Sequence, residues 1–160
     1  MKLLTVGLLA LQAMPASLAP GNILVATAKS HDPDFAGSAI VLIQFDSESA
    51  VGLMLNKATS VPVGDVLPEA KGKPITVYAG GPVMIGVRGL IRTKSTPYFA
   101  VVMGKAELLK MIANRASPET FRLYAGYVGW TGKQLRDEIG RGLWTVSRPN
   151  GDRLFGLRPR

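Results

Sequence analysis

Three groups of residues in this 160-residue chain have the types and spacing to bind or transform a ligand. Asn56 and Thr59 follow a predicted strand, where their side chains can hydrogen-bond a ligand or close a turn on their own backbone. Gly80 and Gly81, followed by Pro82, can bring a ligand close to the backbone or form a tight turn. Each pair therefore has a binding interpretation and a structural one, and the sequence leaves both open.

The third group combines aromatic rings near the C-terminal end of the chain. Tyr127, Trp130 and Trp144 flank a predicted helix and can line a small pocket or a partner-binding surface. Aromatic side chains beside a helix also commonly belong to a hydrophobic core. The sequence predicts that these rings lie close to the helix and does not choose between the two roles.

One acid near these aromatic residues, Glu138, is the best candidate for a buried polar role, with Arg122 or Arg141 as its predicted partner. Its neighbour Asp137 does not form a catalytic pair with it, because adjacent helix positions point in different directions. The Gly-x-Ser-x-Gly turn that presents the nucleophile of many hydrolases is absent from the sequence. We therefore predict no catalytic residues, and a hydrolase-type enzyme is the second alternative.

Metal and cofactor sites have little support in the composition. The chain contains no cysteine and one histidine, which excludes thiolate zinc sites, iron–sulfur clusters and a cysteine nucleophile. His31, Asp32 and Asp34 surround a proline turn, and three local ligands do not complete a cation site. We expect no metal and no cofactor.

The charge is distributed unevenly along the chain. The formal net charge is +8, but residues 1–70 hold three basic and six acidic residues, whereas residues 71–160 hold sixteen basic and five acidic ones. A basic surface attracts phosphates and anionic lipids in a salt-dependent way. The sequence has no reading helix and no aromatic strand of the kinds that bind nucleic acids specifically, so nucleic acid is a possible but not a favoured partner.

The N-terminal residues have the pattern of an export signal. Lys2 is followed by an uncharged apolar run and then by small residues around Ser17 and Ala19. The run is too short for a membrane-spanning helix. We expect residues 1–19 to be a signal peptide and the protein to be exported to the periplasm; the alternative is an N-terminal extension of a cytoplasmic protein.

Hydrophobic patterns predict a mixed α+β domain. Strands are expected at Ile23–Ala26, Ser38–Phe45, Ala50–Leu55, Ile75–Ala79, Arg88–Thr93, Tyr98–Met103 and Phe121–Tyr127. Helices are expected at Lys105–Arg115 and from Thr131 to about Arg141, with a single helical turn at Val63–Leu67. Thr131 and Gln134 match a capping box at the start of the second helix.

Four blocks of the sequence resemble the YqgE/AlgH family of bacterial proteins. They are Leu18–Ala26 leading to Asp32–Phe35, Gly52–Thr59, Val77–Val83, and Tyr124–Trp130 followed by Gln134, Leu135, Glu138, Ile139, Gly142 and Trp144. The resemblance implies a mixed, largely antiparallel, bifurcated sheet curled into a pseudo-barrel with two or three helices. It implies a single domain over residues 20–147, which leaves residues 148–160 as a loose basic tail.

The resemblance brings no established activity and no catalytic residues, although part of the family carries a regulatory label. We therefore predict a non-catalytic binding or regulatory protein, whose partner is an unidentified protein or small molecule. The first alternative is a cytoplasmic, transcription-associated regulator that contacts nucleic acid through its basic C-terminal half. The candidate binding residues are Asn56, Thr59, Gly80, Gly81, Tyr127, Trp130 and Glu138.

Overall fold

The computed structural model describes residues 17–156, so residues 1–16 of the predicted signal peptide lie outside the described residues. The strands are β1 Ile23–Ala26, β2 Ala39–Phe45, β3 Ala50–Met54, β4 Val77–Ala79, β5 Val83–Arg92, β6 Phe99–Val102, β7 Phe121–Trp130 and β8 Trp144–Ser147. The helices are α1 Val63–Val66, α2 Lys105–Ala113, α3 Gly132–Gly140 and α4 Gly151–Gly156, with a 3₁₀ turn at Pro68–Ala70.

The sheet branches at β7. Antiparallel β5 pairs along the first part of β7, with Ile91 opposite Phe121. The other edge of β7 is shared between β4, which runs parallel to it, and β3, which pairs antiparallel with its last three residues. From β3 the sheet continues through β2 and β1 to β8, so β6 and β8 are its outer strands and the sheet is not closed. The predicted bifurcated, mostly antiparallel α+β fold is confirmed.

The predicted strands on either side of Asp46 pair as the β2–β3 hairpin, which Asp46 closes. An Asp46 carboxylate oxygen accepts hydrogen bonds from the backbone N–H groups of Glu48 and Ser49, both at 2.8 Å. These backbone donors, that of Ser49 first, lower the pKa of Asp46, because they stabilise its ionised form. This local turn chemistry helps to fix the register in which β3 pairs with β2.

The core consists of three neighbouring clusters. One lies between the sheet and α3 and contains Leu135 and Ile139 together with both tryptophans. A second packs Leu108 and Ile112 of α2 against Phe121. The third lies on the other side of the sheet and is built around the fully buried Tyr124. Burial raises the pKa of Tyr124, which stays protonated and donates to the Leu55 carbonyl oxygen at 3.4 Å.

The prediction of a loose tail is wrong for residues 151–156. These residues form α4, and Leu154 and Phe155 are buried in the third core cluster. The buried Arg122 donates to the Phe155 carbonyl oxygen at 2.6 Å, which ties the last turn of α4 to β7. The Arg- and Gly-rich composition of this segment favoured a loose tail, but the apolar side chains of Leu154 and Phe155 anchor it in the core.

There are four α-helices in the described part of the chain rather than the predicted two or three. None of the helices within residues 17–156 has the length and apolar character needed to cross a membrane.

We expect Phe155→Leu to lower the free energy of unfolding by about 1–2 kcal/mol, because it leaves a small cavity beneath α4. The matched change Phe45→Leu, at a partly exposed ring, is expected to cost less than half as much. Urea unfolding of both variants measures the difference. Equal losses for the two variants would mean that α4 does not contribute to the core.

Candidate functional site

Thr131 caps the start of helix α3, as predicted. The Thr131 side-chain oxygen accepts a hydrogen bond from the Gln134 backbone N–H at 3.0 Å. The reciprocal half of the predicted capping box is not formed, because the Gln134 amide turns along the helix and donates to Glu138 Oε1 at 3.3 Å. The start of α3 therefore also positions Glu138.

Glu138 joins the two tryptophans of the chain. Its Oε2 atom accepts from the indole Nε1–H of Trp144 at 2.8 Å and from that of Trp130 at 3.1 Å. The two rings meet edge to face with centroids 6.0 Å apart. The prediction that Glu138 pairs with Arg122 or Arg141 is wrong. Arg122 instead donates to backbone carbonyl oxygens, among them that of Pro118 at 3.0 Å.

These aromatic residues form one wall of an open cleft of about 500 Å³, which we call the tryptophan cleft. Phe35 extends the wall and meets Trp144 edge to face at 5.6 Å. The charged side chains that line the cleft are Lys29, Asp32, Glu138 and Arg141, with His31 beside them. The cleft thus combines an aromatic wall with charges of both signs.

The register of two strands explains how distant residues reach this cleft. Ala26, the last residue of β1, pairs with Trp144, the first residue of β8. The loop after β1 and the turn before β8 therefore lie at the same end of the sheet. Lys29 lies over Gly142, whose φ of +75° places it in the left-handed region that favours glycine. Gly142 lets the chain turn sharply between α3 and Trp144.

An exposed apolar bulge borders the cleft on the side of β5. Val83 lines the cleft, and the pairing of β5 with β7 is irregular between Val83 and Val87. Met84 and Ile85 lie in this irregular segment and are 71% and 69% exposed. We call Met84 and Ile85 the apolar lip. Bulges of this kind redirect side chains away from a sheet and are frequent beside binding sites.

Gly80 and Gly81 do not face the cleft. A Cβ atom on Gly80 would lie 2.3 Å from the Gly126 carbonyl oxygen, and one on Gly81 would lie 2.2 Å from the Tyr127 carbonyl carbon. The close backbone approach that these glycines permit is therefore to β7. Only the following Pro82 and Val83 reach the cleft.

Asn56 and Thr59 lie apart from the tryptophan cleft. The Thr59 hydroxyl donates to the Val77 carbonyl oxygen at 2.7 Å and accepts from the Val61 N–H at 3.2 Å, so it closes a turn. Asn56 is nearly buried and lines a different cavity of about 310 Å³, together with Lys57. The predicted site residues thus fall into separate places.

Tyr127 lies on β7 but outside the cleft lining, and it supports the Arg88 guanidinium, which stacks 4.7 Å from its ring centroid. Asp32, in the loop after β1, accepts from the Asp34 N–H at 2.9 Å, as expected for turn chemistry. Within the described residues no group of three or more acidic or histidine side chains could hold a metal ion.

Of the predicted binding residues, the structure brings Trp130 and Glu138 together, and it adds Lys29, Phe35 and Arg141. Lys29 is 112 positions from Arg141, so sequence spacing gives no direct indication of their proximity. The signal that could have found Lys29 is the pairing of the end of β1 with the start of β8.

Comparison with known proteins identifies the family. The sequence profile described as DUF179, AlgH-like, matches residues 23–160. The chain belongs to the AlgH-like family. Among curated relatives, a UPF0301 protein of Streptomyces coelicolor is 33% identical over 79% of this chain and 73% of its own length. A UPF0301 protein of Anaeromyxobacter dehalogenans is 31% identical over 89% of this chain and 83% of its own.

Two solved structures have the same AlgH-like fold. The solution structure of the AlgH protein from Pseudomonas aeruginosa superposes with a TM-score of 0.72 at 25% identity, covering 91% of this chain and 86% of that one. A crystal structure of a protein from Corynebacterium diphtheriae gives a TM-score of 0.66 at 28% identity, covering 87% and 80%. The AlgH-like match extends through α4, which agrees with the packing of that helix.

Proposed function

We propose that this AlgH-like protein is a non-catalytic binding protein and that the tryptophan cleft with its apolar lip is the binding surface. The single observation that carries the proposal is the double hydrogen bond from Trp130 and Trp144 to one oxygen of Glu138. It holds two large rings rigidly at the wall of an open cleft of about 500 Å³, and rigid aromatic walls bind ligands at low entropic cost.

The hydrogen bonding of Glu138 supports binding rather than catalysis. A general base needs a free oxygen directed at the substrate proton. Oε2 already accepts two indole hydrogen bonds and Oε1 accepts from Gln134. The carboxylate is therefore engaged in holding the wall of the cleft.

The composition of the cleft and lip indicates the kind of ligand. Phe35 and the apolar lip offer apolar surface beside the largely buried rings of Trp130 and Trp144. Lys29 and Arg141 are exposed cations on the rim. An amphipathic ligand that carries a flat apolar group and an anionic group fits both parts. A small aromatic acid and an apolar, acidic protein segment share this chemistry.

Intrinsic fluorescence tests the proposal, because Trp130 and Trp144 are the two tryptophans of the chain and both line the cleft. We expect saturable changes in emission when aromatic carboxylic acids or short apolar, acidic peptides are titrated into the protein. Ile85→Ser, at the lip, is expected to weaken the best ligand at least about fivefold. As a matched control, Val61→Ser changes another exposed apolar residue, remote in sequence from the lip and outside the cleft lining. Emission that no ligand of this class changes would contradict the proposal.

A further inference from the structure

A second cavity, of about 660 Å³, lies where three strand ends meet the start of α4. Arg92 ends β5, Tyr98 precedes β6 and Thr120 precedes β7, and all three line this cavity. The backbone ties them together, because the Arg92 N–H donates to the Thr120 carbonyl oxygen at 2.8 Å and the Thr93 N–H donates to the Tyr98 carbonyl oxygen at 3.0 Å. We call this the Arg92 cavity; it shares no lining residue with the tryptophan cleft.

Arg92 is held in place with part of its guanidinium uncommitted. Its Nη2 atom donates to Asp152 Oδ1 at 2.5 Å, and the group lies 5.8 Å from the centroid of the Phe155 ring. Among residues 17–156, the Nε and Nη1 donors of Arg92 have no hydrogen-bond acceptor. Bidentate binding of an oxyanion by arginine uses Nη2 together with either Nε or Nη1, so the two uncommitted nitrogens can complete such a pair once Asp152 releases Nη2.

Further donors line the same cavity. Lys94 supplies an exposed positive charge, and the Tyr98 hydroxyl makes no hydrogen bond within the described part of the chain. Tyr98 also has a φ of +70°, an uncommon conformation for a residue with a side chain. Such backbone conformations concentrate at functional sites, where they place a side chain that an ordinary conformation would direct elsewhere.

Asp152 is the one acid of the cavity lining, and its position is compatible with anion binding. Its side chain is 92% exposed, and exposed ion pairs contribute little free energy. An anion with more than one oxygen can therefore displace Asp152 from Arg92, and the carboxylate can then turn into solvent. With Asp152 displaced, Arg92 and Lys94 leave the lining with a net positive charge.

We propose that the Arg92 cavity binds the phosphoryl group of a small phosphate monoester. Arg92, Lys94 and Tyr98 offer more donors than the two oxygens of a carboxylate require, whereas a phosphoryl group presents three terminal oxygens. The cavity volume of about 660 Å³ leaves room for the organic part of the ester. This site is independent of the proposed binding at the tryptophan cleft.

Isothermal titration of the full chain at low ionic strength tests the proposal, with inorganic phosphate and adenosine monophosphate as the probes. We expect Arg92→Gln to weaken the binding of both at least about tenfold, and Asp152→Asn to strengthen it, because a competing carboxylate is removed. Arg136→Gln is the matched control, since Arg136 also stacks on a phenylalanine ring, 5.2 Å from that of Phe45, and lies outside the cavity lining. Thermal unfolding of each variant verifies that it is folded.

Several results would overturn the proposal. Equal weakening by Arg92→Gln and Arg136→Gln would show attraction to the overall basic charge, as would binding of a random DNA duplex that both variants reduce equally. Weaker binding by Asp152→Asn would show that the Asp152 carboxylate does not compete with the anion for Arg92, and would contradict the proposed displacement. Absence of heat with both probes at millimolar concentration would also contradict it.

Two results would support the proposal. Equal affinity for the two probes would support recognition of the phosphoryl group alone, and tighter binding of adenosine monophosphate would support a monoester.

Discussion

Replacing Glu138 with leucine is expected to lower the free energy of unfolding by about 3–4 kcal/mol. The substitution leaves the indole N–H groups of Trp130 and Trp144 without their acceptor, and these residues are only 8% and 5% exposed. An unsatisfied buried donor costs about 1–3 kcal/mol, and two are created at once. Glu138→Gln keeps a carbonyl oxygen for the indoles and is expected to cost about 1 kcal/mol. Urea unfolding followed by circular dichroism measures both values.

The adjacent Asp137 provides the control for this prediction. Asp137 forms an exposed i, i+4 ion pair with Lys133 at 2.7 Å on the same helix. Asp137→Leu is expected to change stability by less than about 0.5 kcal/mol, since exposed ion pairs of this kind contribute little. A loss for Glu138→Leu no larger than for Asp137→Leu would show that the indole hydrogen bonds do not hold the wall of the cleft.

Gly81→Ala is expected to destabilise the protein by more than about 4 kcal/mol, so that little of it is recovered folded. The new Cβ atom would lie 2.2 Å from the Tyr127 carbonyl carbon and 2.5 Å from the Val128 nitrogen. Both are backbone atoms of the central strand β7, which cannot move without breaking its pairing with β3 and β5. The soluble yield and the urea midpoint of the variant are the measurements.

Gly140→Ala is the matched substitution for Gly81→Ala. Within residues 17–156, apart from its chain neighbours and the backbone of α3, no atom lies within 4 Å of a Cβ built on Gly140, the last residue of α3. Because alanine favours helix more than glycine does, we expect this variant to be more stable by about 0.5 kcal/mol. If Gly81→Ala were as stable as Gly140→Ala, this would contradict the close approach of Gly81 to the backbone of β7.

The sequence was sufficient where the interactions are local. The apolar run at Ile23–Ala26 forms β1 with the predicted bounds, and the two predicted strands on either side of Asp46 pair as β2 and β3. Thr131 begins α3 because its side chain can reach a backbone N–H three residues later. Each of these features depends on neighbours within a few positions, so composition and spacing carry the information.

The candidate site was only partly predictable, because its contacts join distant segments. Glu138 was identified as a buried polar residue, but the pattern favoured arginine partners, and only the packing of β7, α3 and β8 brings two indole donors to it. Likewise, the charge of residues 148–160 favoured a tail, and only the core around Tyr124 explains the burial of Phe155. Tertiary packing outweighed local composition in both cases.

The central claim is that ligands bind at the tryptophan cleft, and the indole region of a ¹H–¹⁵N correlation spectrum tests it most directly. The side-chain Nε1–H groups of Trp130 and Trp144 both bond Glu138, and the chain has no third tryptophan. With an aromatic acid or peptide that changes the tryptophan emission, we predict that both indole peaks move together and saturate at one dissociation constant. Indole peaks that stay in place while backbone amides elsewhere shift would contradict the account.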